Sequence, residues 1–308
     1  MTDRRAKARG VACLAVAAQA LAGCNSVPTI KQVAFSPGGG KVELRFHPPK
    51  GDSYLYREET TMGKNTETEI IQTDIASVDG GLVRVDDTVK DIQDSEDTPF
   101  EAGQRSDKLK GVKIETTCDE FAIVHRVEGL IGSSEAEAMR KAEHQINAGL
   151  QGVVFPTNPI AEGWHWSTDM DWSALLGMIG FDAKLSEPPT VSFVVKGAEE
   201  QGFLKMAVID YKMVVKLSLF SSLFGDLAAN APSGAAPSSP AGQTPSPFTF
   251  TISRDGTLRV DMGTGMVVRD DDNMVVSGSI TGERREVKAF IKTRMLQMTR
   301  AGVTTKLE

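Results

Sequence analysis

From residue 51 onward, apolar and polar positions alternate with a period of two. "SYLYREETTM" (53–62) is followed by "TETEIIQTDIASV", "LVRVDDTVKDI", "GVKIETT" and "FAIVHRV". Enrichment in Val, Ile and Thr on that period predicts strands. The turn-like "DGG" (79–81) and "CDE" (118–120) between them predict an antiparallel meander. The pattern changes at "SSEAEAMRKAEHQINAGL" (133–150). There Ser134 caps, Glu135 and Glu137 occupy the first turn, and Ala136, Met139, Ile146 and Leu150 share one side, which predicts a helix. A loop with two prolines and the aromatic strand "WHW" (164–166) come next. Strand patterns return in "TVSFVVKG", "FLKMAVIDYKMVVKLSL", "FTFTISRDGTLRVDM", "GMVVRDD", "MVVSGSITGE" and "REVKAFIKTRMLQMTR". "RDGT" (254–257) and "DDDN" (270–273) have turn chemistry.

Two runs of strands flanking one helix predict a mainly β fold of the α+β class. Its expected form is a large curved antiparallel sheet, or half-barrel, packed on a main helix at about 134–149, since such a sheet needs one face covered. The β-rich domain is expected over 51–308. Within it, 229–247 is nearly all Ala, Pro, Ser and Gly and is expected to be a flexible loop. Residues 24–50, with "SPGGG" and "HPPKG", read as a tether containing one strand, "KVELRF" (41–46).

The first 23 residues have a different character. Arg4, Arg5, Lys7 and Arg9 precede "VACLAVAAQALAG", a charge-free apolar run too short to span a bilayer, which takes about 20 apolar residues. A basic head, a short apolar core and small residues at its end make a secretory signal, residues 1–23. The final "LAGC" (21–24) resembles the lipobox of bacterial lipoproteins. That resemblance implies acylation of the Cys24 thiol, cleavage before Cys24 and anchoring in a membrane through the acyl chains. Asn25, where an Asp would retain an enterobacterial lipoprotein in the inner membrane, implies the outer membrane, facing the periplasm.

Processing before Cys24 removes four basic side chains and one acidic, from totals of 34 and 41, leaving 30 against 40. So acidic a chain is repelled by nucleic acid and by anionic head groups, which leaves membrane contact to the acyl anchor. Cys13 leaves with the signal and Cys24 is acylated, so Cys118 has no disulfide partner. The core has to hold without a staple, which a chain of this size, with 40% hydrophobic residues, can do.

"GDSYLYREETTM" (51–62) and "FPTNPIAEGWHW" (155–166) resemble a pattern in uncharacterised bacterial envelope proteins: a Gly-x-x-Tyr-x-Tyr strand, then a Pro-x-x-Pro segment leading to Gly and Trp. Pro156, Pro159, Ile160, Gly163 and Trp164 carry the second part. The resemblance implies an open half-barrel similar in outline to LolA-like and LppX-like lipoprotein carriers, with an apolar ligand between sheet and helix.

Catalytic patterns are missing from the sequence. His47, His125, His144 and His165 are scattered, with no zinc spacing. No nucleophile elbow, Walker loop or dinucleotide fingerprint occurs. Cys118 lies beside Asp119 and Glu120, which disfavour its thiolate. Asp270 and Asp272 begin a calcium-loop pattern that Met274 breaks, so "RDDDN" reads as a solvated hairpin turn. Asp169, Asp171 and His165 are the nearest to a catalytic cluster, with nothing to fix their geometry. No enzyme, cofactor or metal is expected.

Two apolar stretches remain, "DWSALLGMIGF" (171–181) and "KLSLFSSLFGDL" (216–227). Either they are core, or they form a lip, with Leu217, Phe220, Leu223 and Phe224, that lines an apolar pocket or dips into a membrane, and Trp164, Trp166 and Trp172 sit near its mouth. The expected function is non-catalytic binding of an apolar ligand such as a lipid. The alternative is a structural or assembly lipoprotein that contacts another envelope protein.

Overall fold

A computed structural model describes residues 29–36, 40–95, 109–131, 154–169, 183–185, 190–219, 248–280 and 283–308. The elements in these residues are strands: β1 (Ile30–Val33), β2 (Ser53–Met62), β3 (Asn65–Asp79), β4 (Leu82–Asp94), β5 (Lys113–Asp119), β6 (Val124–Ile131), β7 (His165–Asp169), β8 (Ala183–Leu185), β9 (Thr190–Gln201), β10 (Leu204–Leu219), β11 (Phe248–Asp261), β12 (Val267–Ile280), β13 (Glu283–Arg300) and β14 (Val303–Lys306). They form one antiparallel sheet in the order β1-β9-β10-β11-β12-β13-β2-β3-β4-β5-β6. β7 joins β9, β8 joins β10 and β14 joins β13. The expected antiparallel sheet is therefore present, and both strand runs share it, joined where β13 pairs with β2. The helix expected at 134–149 and the loop expected at 229–247 lie outside the described residues.

Alternation sets the faces. On β10, Ala207, Ile209, Tyr211, Met213 and Val215 are buried, while Lys212, Val214 and Lys216 are exposed. A first core cluster joins that face to Phe193 and Val195 of β9 and Leu258 of β11, and to Phe35, Leu44, Phe155 and Ile160 from non-strand segments. A second joins Tyr54, Tyr56, Ile75, Val83 and Val85 to Met295, Met298, Leu307 and Met206. β10 and β4 are six places apart in the order, roughly 29 Å in a flat sheet at about 4.8 Å per strand. The cluster spans that width strand by strand, through Val268, Met295, Tyr56 and Ile75, on the face that is the inner one below. Leu204 and Met206 lie in the opposite phase to Ala207 yet are buried too, so this end of β10 is covered on both faces.

Part of the stretch expected as a tether is built into this frame. β1 pairs with β9. "KVELRF" forms no strand beyond the single bridge Val42–Ile160. It runs as a strap whose Leu44 is fully buried. The Phe46 N–H donates to Glu120 O at 2.7 Å and the His47 N–H to Thr264 O at 3.0 Å, so the strap ties the β5–β6 turn to the β11–β12 turn. The Arg45 guanidinium adds bonds to Pro156 O and Thr157 O, both 3.0 Å.

Two expected turns are corrected. "RDGT" lies inside β11, and "DDDN" inside β12. Turn-forming composition misleads there because a distant side chain sets what each position needs. Gly256 faces Tyr211 across the β10–β11 pair, and a Cβ on it would meet Tyr211 Oη at 2.7 Å. Glycine inside a strand here marks a close approach. "DGG", by contrast, is the β3–β4 turn, with Gly80 and Gly81 at φ +60° and +82°, the conformation a two-residue hairpin requires.

Candidate functional site on the inner face of the sheet

Directly opposed residues of antiparallel strands share a face, so the register draws rows across the sheet. One row runs Ile209, Leu258, Asp270, Thr293, Glu58, Glu69; the next runs Tyr211, Gly256, Asp272, Ile291, Thr60, Glu67; the third runs Met213, Arg254, Met274, Ala289, Met62. These rows form a polar belt across the inner face. The next row, Val215, Ile252, Val276, Val287, is aliphatic throughout.

Four belt residues form one buried group. Arg254 is 2% exposed and Asp272 0%. Arg254 Nε donates to Asp272 Oδ2 at 2.5 Å, and its Nη2 lies 3.7 Å from Asp270 Oδ2. The Tyr211 hydroxyl donates to Asp270 at 3.3 Å, and its ring lies 5.7 Å from the guanidinium carbon. Arg254 Nη2 and Asp272 Oδ1 have no hydrogen-bond partner. Burial pushes the Asp270 carboxyl up to about 7, against the pull of Arg254 and with a push from Asp272. Burial also raises Asp272. In a low-dielectric site, two carboxylates on one guanidinium do not both hold full charge cheaply.

Asp271, between the two, takes the outer face. It pairs there with Arg259 at 3.5 Å and with Arg294. Arg259 also reaches Glu199 at 2.7 Å, and Glu308 reaches Arg57 at 2.9 Å, Arg269 at 3.6 Å and Arg294 at 3.7 Å. The acidic run expected as a solvated turn thus faces two ways, with two carboxylates in the interior and one in an outer ion-pair network.

This belt was not singled out from the sequence, although a trace of it is there. Arg254 falls in the apolar phase of Ile252, Leu258 and Val260, and Asp270 and Asp272 in that of Met274 and Val276. Charged residues in a core phase are the informative exception in an amphipathic strand.

Of the residues proposed for a pocket lip and mouth, Trp164 and Trp166 pack against the first core cluster. Trp166 stacks on Phe193, with centroids 4.8 Å apart, and donates Nε1–H to Val154 O at 2.9 Å. Leu217 stands on β10 opposite Phe250 and Leu185 in register. Trp172, Phe220, Leu223, Phe224, Cys24 and Asp171 lie outside the described residues. His165 is exposed on β7, and His125 bonds Asp119 at 3.0 Å. The Cys118 thiol is pushed up to about 12, chiefly by burial and then by Asp87 and Asp119. Among the described residues, no cluster of three or more His, Cys, Asp or Glu side chains is arranged to hold a metal ion, and no helix is long and apolar enough to cross a membrane. No family model matches this chain, and no curated protein matches it.

Proposed function

We propose that the chain is a lipoprotein of the bacterial cell envelope, anchored through acyl chains on Cys24, that binds an apolar ligand such as a lipid without catalysis. In this reading the sheet is a half-barrel, the 134–149 helix packs against its inner face, and the ligand lies between them. The observation that carries it is the aliphatic row Val215, Ile252, Val276, Val287 beside the belt, with Val287 still 54% exposed. Apolar area removed from water there contributes about 25 cal/mol per Å2. The buried Arg254 group forms a polar boundary that stops acyl chains from passing deeper.

Native mass spectrometry tests this on the Cys24→Ser chain, purified from its host's envelope. A lipid-sized adduct is expected, and Val276→Asp should remove it while leaving the circular dichroism spectrum intact. A clean mass that persists after incubation with host lipid extract would sink the reading. The rival, a lipoprotein that assembles with another envelope protein, draws support from the side-chain-filled end of the sheet, where both core clusters meet Phe46. Crosslinking in the envelope is its test.

A further inference from the structure

The exposed large apolar side chains are unevenly distributed. Among the described residues they are Met62, Val78, Leu82, Ile123, Phe203, Val214, Val287 and Val303. Five of the eight stand at turns on one end of the sheet. Phe203 (58% exposed) tips the β9–β10 turn and Val303 (68%) follows the β13–β14 turn. Val78 and Leu82 flank the β3–β4 turn, and Ile123 lies in the β5–β6 turn. The register puts these turns at the same end: Leu82 pairs with Asp119, Ser53 with both Thr299 and Asp74, and Met206 with Asp261.

Hydrogen bonds hold this end as one frame. Gln201 Nε2 donates to Leu307 O at 2.7 Å, Arg300 Nε to Asp52 Oδ2 at 2.7 Å, and the Gly51 N–H to Ile75 O at 2.9 Å. The strap from Phe46 to Glu120 crosses the same end.

The chain also enters here. Ile30, the first residue of β1, pairs with Gln201 beside the Phe203 turn. Cys24 stands six residues earlier, and six extended residues reach no more than about 20 Å. An anchor on Cys24 therefore holds this end, and not the Met62 end, at the membrane.

We propose that the face formed by the β3–β4, β5–β6, β9–β10 and β13–β14 turns rests on the lipid bilayer, with Phe203 and Val303 among the head groups. The inference rests on the lipid-anchor reading of Cys24. Charges near these turns are of both signs, Lys31 and Lys205 against Glu200 and Asp79, so apolar contact holds the face down rather than ionic attraction. Acyl chains supply affinity, and the tips fix orientation.

The test uses the full chain with its anchor, in vesicles of phosphatidylethanolamine and phosphatidylglycerol that include a brominated lipid. Single fluorescent labels are placed through Phe203→Cys, Val303→Cys and, at the far end, Met62→Cys; Cys118 is buried. Quenching at 203 and 303, little at 62, and no change with added salt are expected. Equal quenching at all three, or quenching at 62 alone, overturns the proposal. So does shielding of 203 and 303 without vesicles, which would assign the face to a second copy of the chain. The mass of the Cys24 peptide is read in the same preparation. If Cys24 carries no acyl group, the anchor reading fails by itself. The chain added directly to the same vesicles then decides the contact: quenching at 203 and 303 sustains it, and its absence overturns it.

Discussion

Gly256 lies under the phenol of Tyr211, so close that a methyl group there would meet Tyr211 Oη at 2.7 Å and the Asp271 carbonyl oxygen at 2.6 Å. Neither neighbour yields easily, since one is backbone in the β11–β12 ladder and the other is an 8% exposed side chain bonded to Asp270. Gly256→Ala should cost about 1–3 kcal/mol, as overpacking does. Urea unfolding of the variant checks this. Gly256→Ala combined with Tyr211→Phe should recover only a part of the loss, because the hydroxyl is one of three obstructing atoms and the ring carbon Cζ, at 2.8 Å, stays.

Arg254 is the cation between Asp270 and Asp272. Arg254→Met leaves two buried carboxylates without it and should destabilise the fold by about 3–5 kcal/mol. Replacing the whole group, as Arg254→Met with Asp270→Asn and Asp272→Leu, should restore most of that. A denaturant series on single, double and triple variants measures the coupling.

The Asp270 carboxyl, ordinarily near 3.8, is pushed up to about 7 by burial. The folded chain therefore holds a proton there that the unfolded chain releases between about pH 4 and pH 7. The stabilisation from this group is complete below about pH 4 and is lost as the pH rises through about 7. Melting temperature against pH should show a downward component across that window, and Asp270→Asn should lack it. Identical profiles for the two proteins would refute this assignment.

Leu44 is fully exposed to the core and not to water. If its segment were a tether, Leu44→Ala would be silent. As part of the strap it should cost about 2–5 kcal/mol. Thermal melts of the variant distinguish these outcomes.

Cys118, 8% exposed with its thiol pushed up to about 12, should resist iodoacetamide at pH 8 in the native Cys24→Ser chain. It should react fully in guanidinium. Native-state labelling on the time scale of a free thiol would show that β5 opens.

The strands were legible wherever one face is apolar and the other wet, as in "SYLYREETTM", which is β2 from end to end. β1 and β14, four residues each, are too short for a period to register. "RDGT" and "DDDN" misled for a different reason. Gly256 answers to Tyr211, 45 positions earlier in the chain, and Asp272 to Arg254, so their meaning lies in partners that no local window contains. The strap was hidden for the same cause. Its prolines and glycines read as a spacer, and only the bonds from Phe46 and His47 to distant turns make it structural.

The pairing of β13 with β2 also governs when the sheet can be completed. Ser53 meets Thr299, a separation of 246 residues, while Ile30 waits for Gln201, 171 residues on. A chain emerging from its N-terminus thus delivers β2 to β6 as a meander whose β2 edge stays uncovered until nearly the last strand arrives. Such non-local closure is slow and leaves a sticky edge open meanwhile. Folding of this chain without aggregation therefore depends on keeping that edge occupied until β13 has been made.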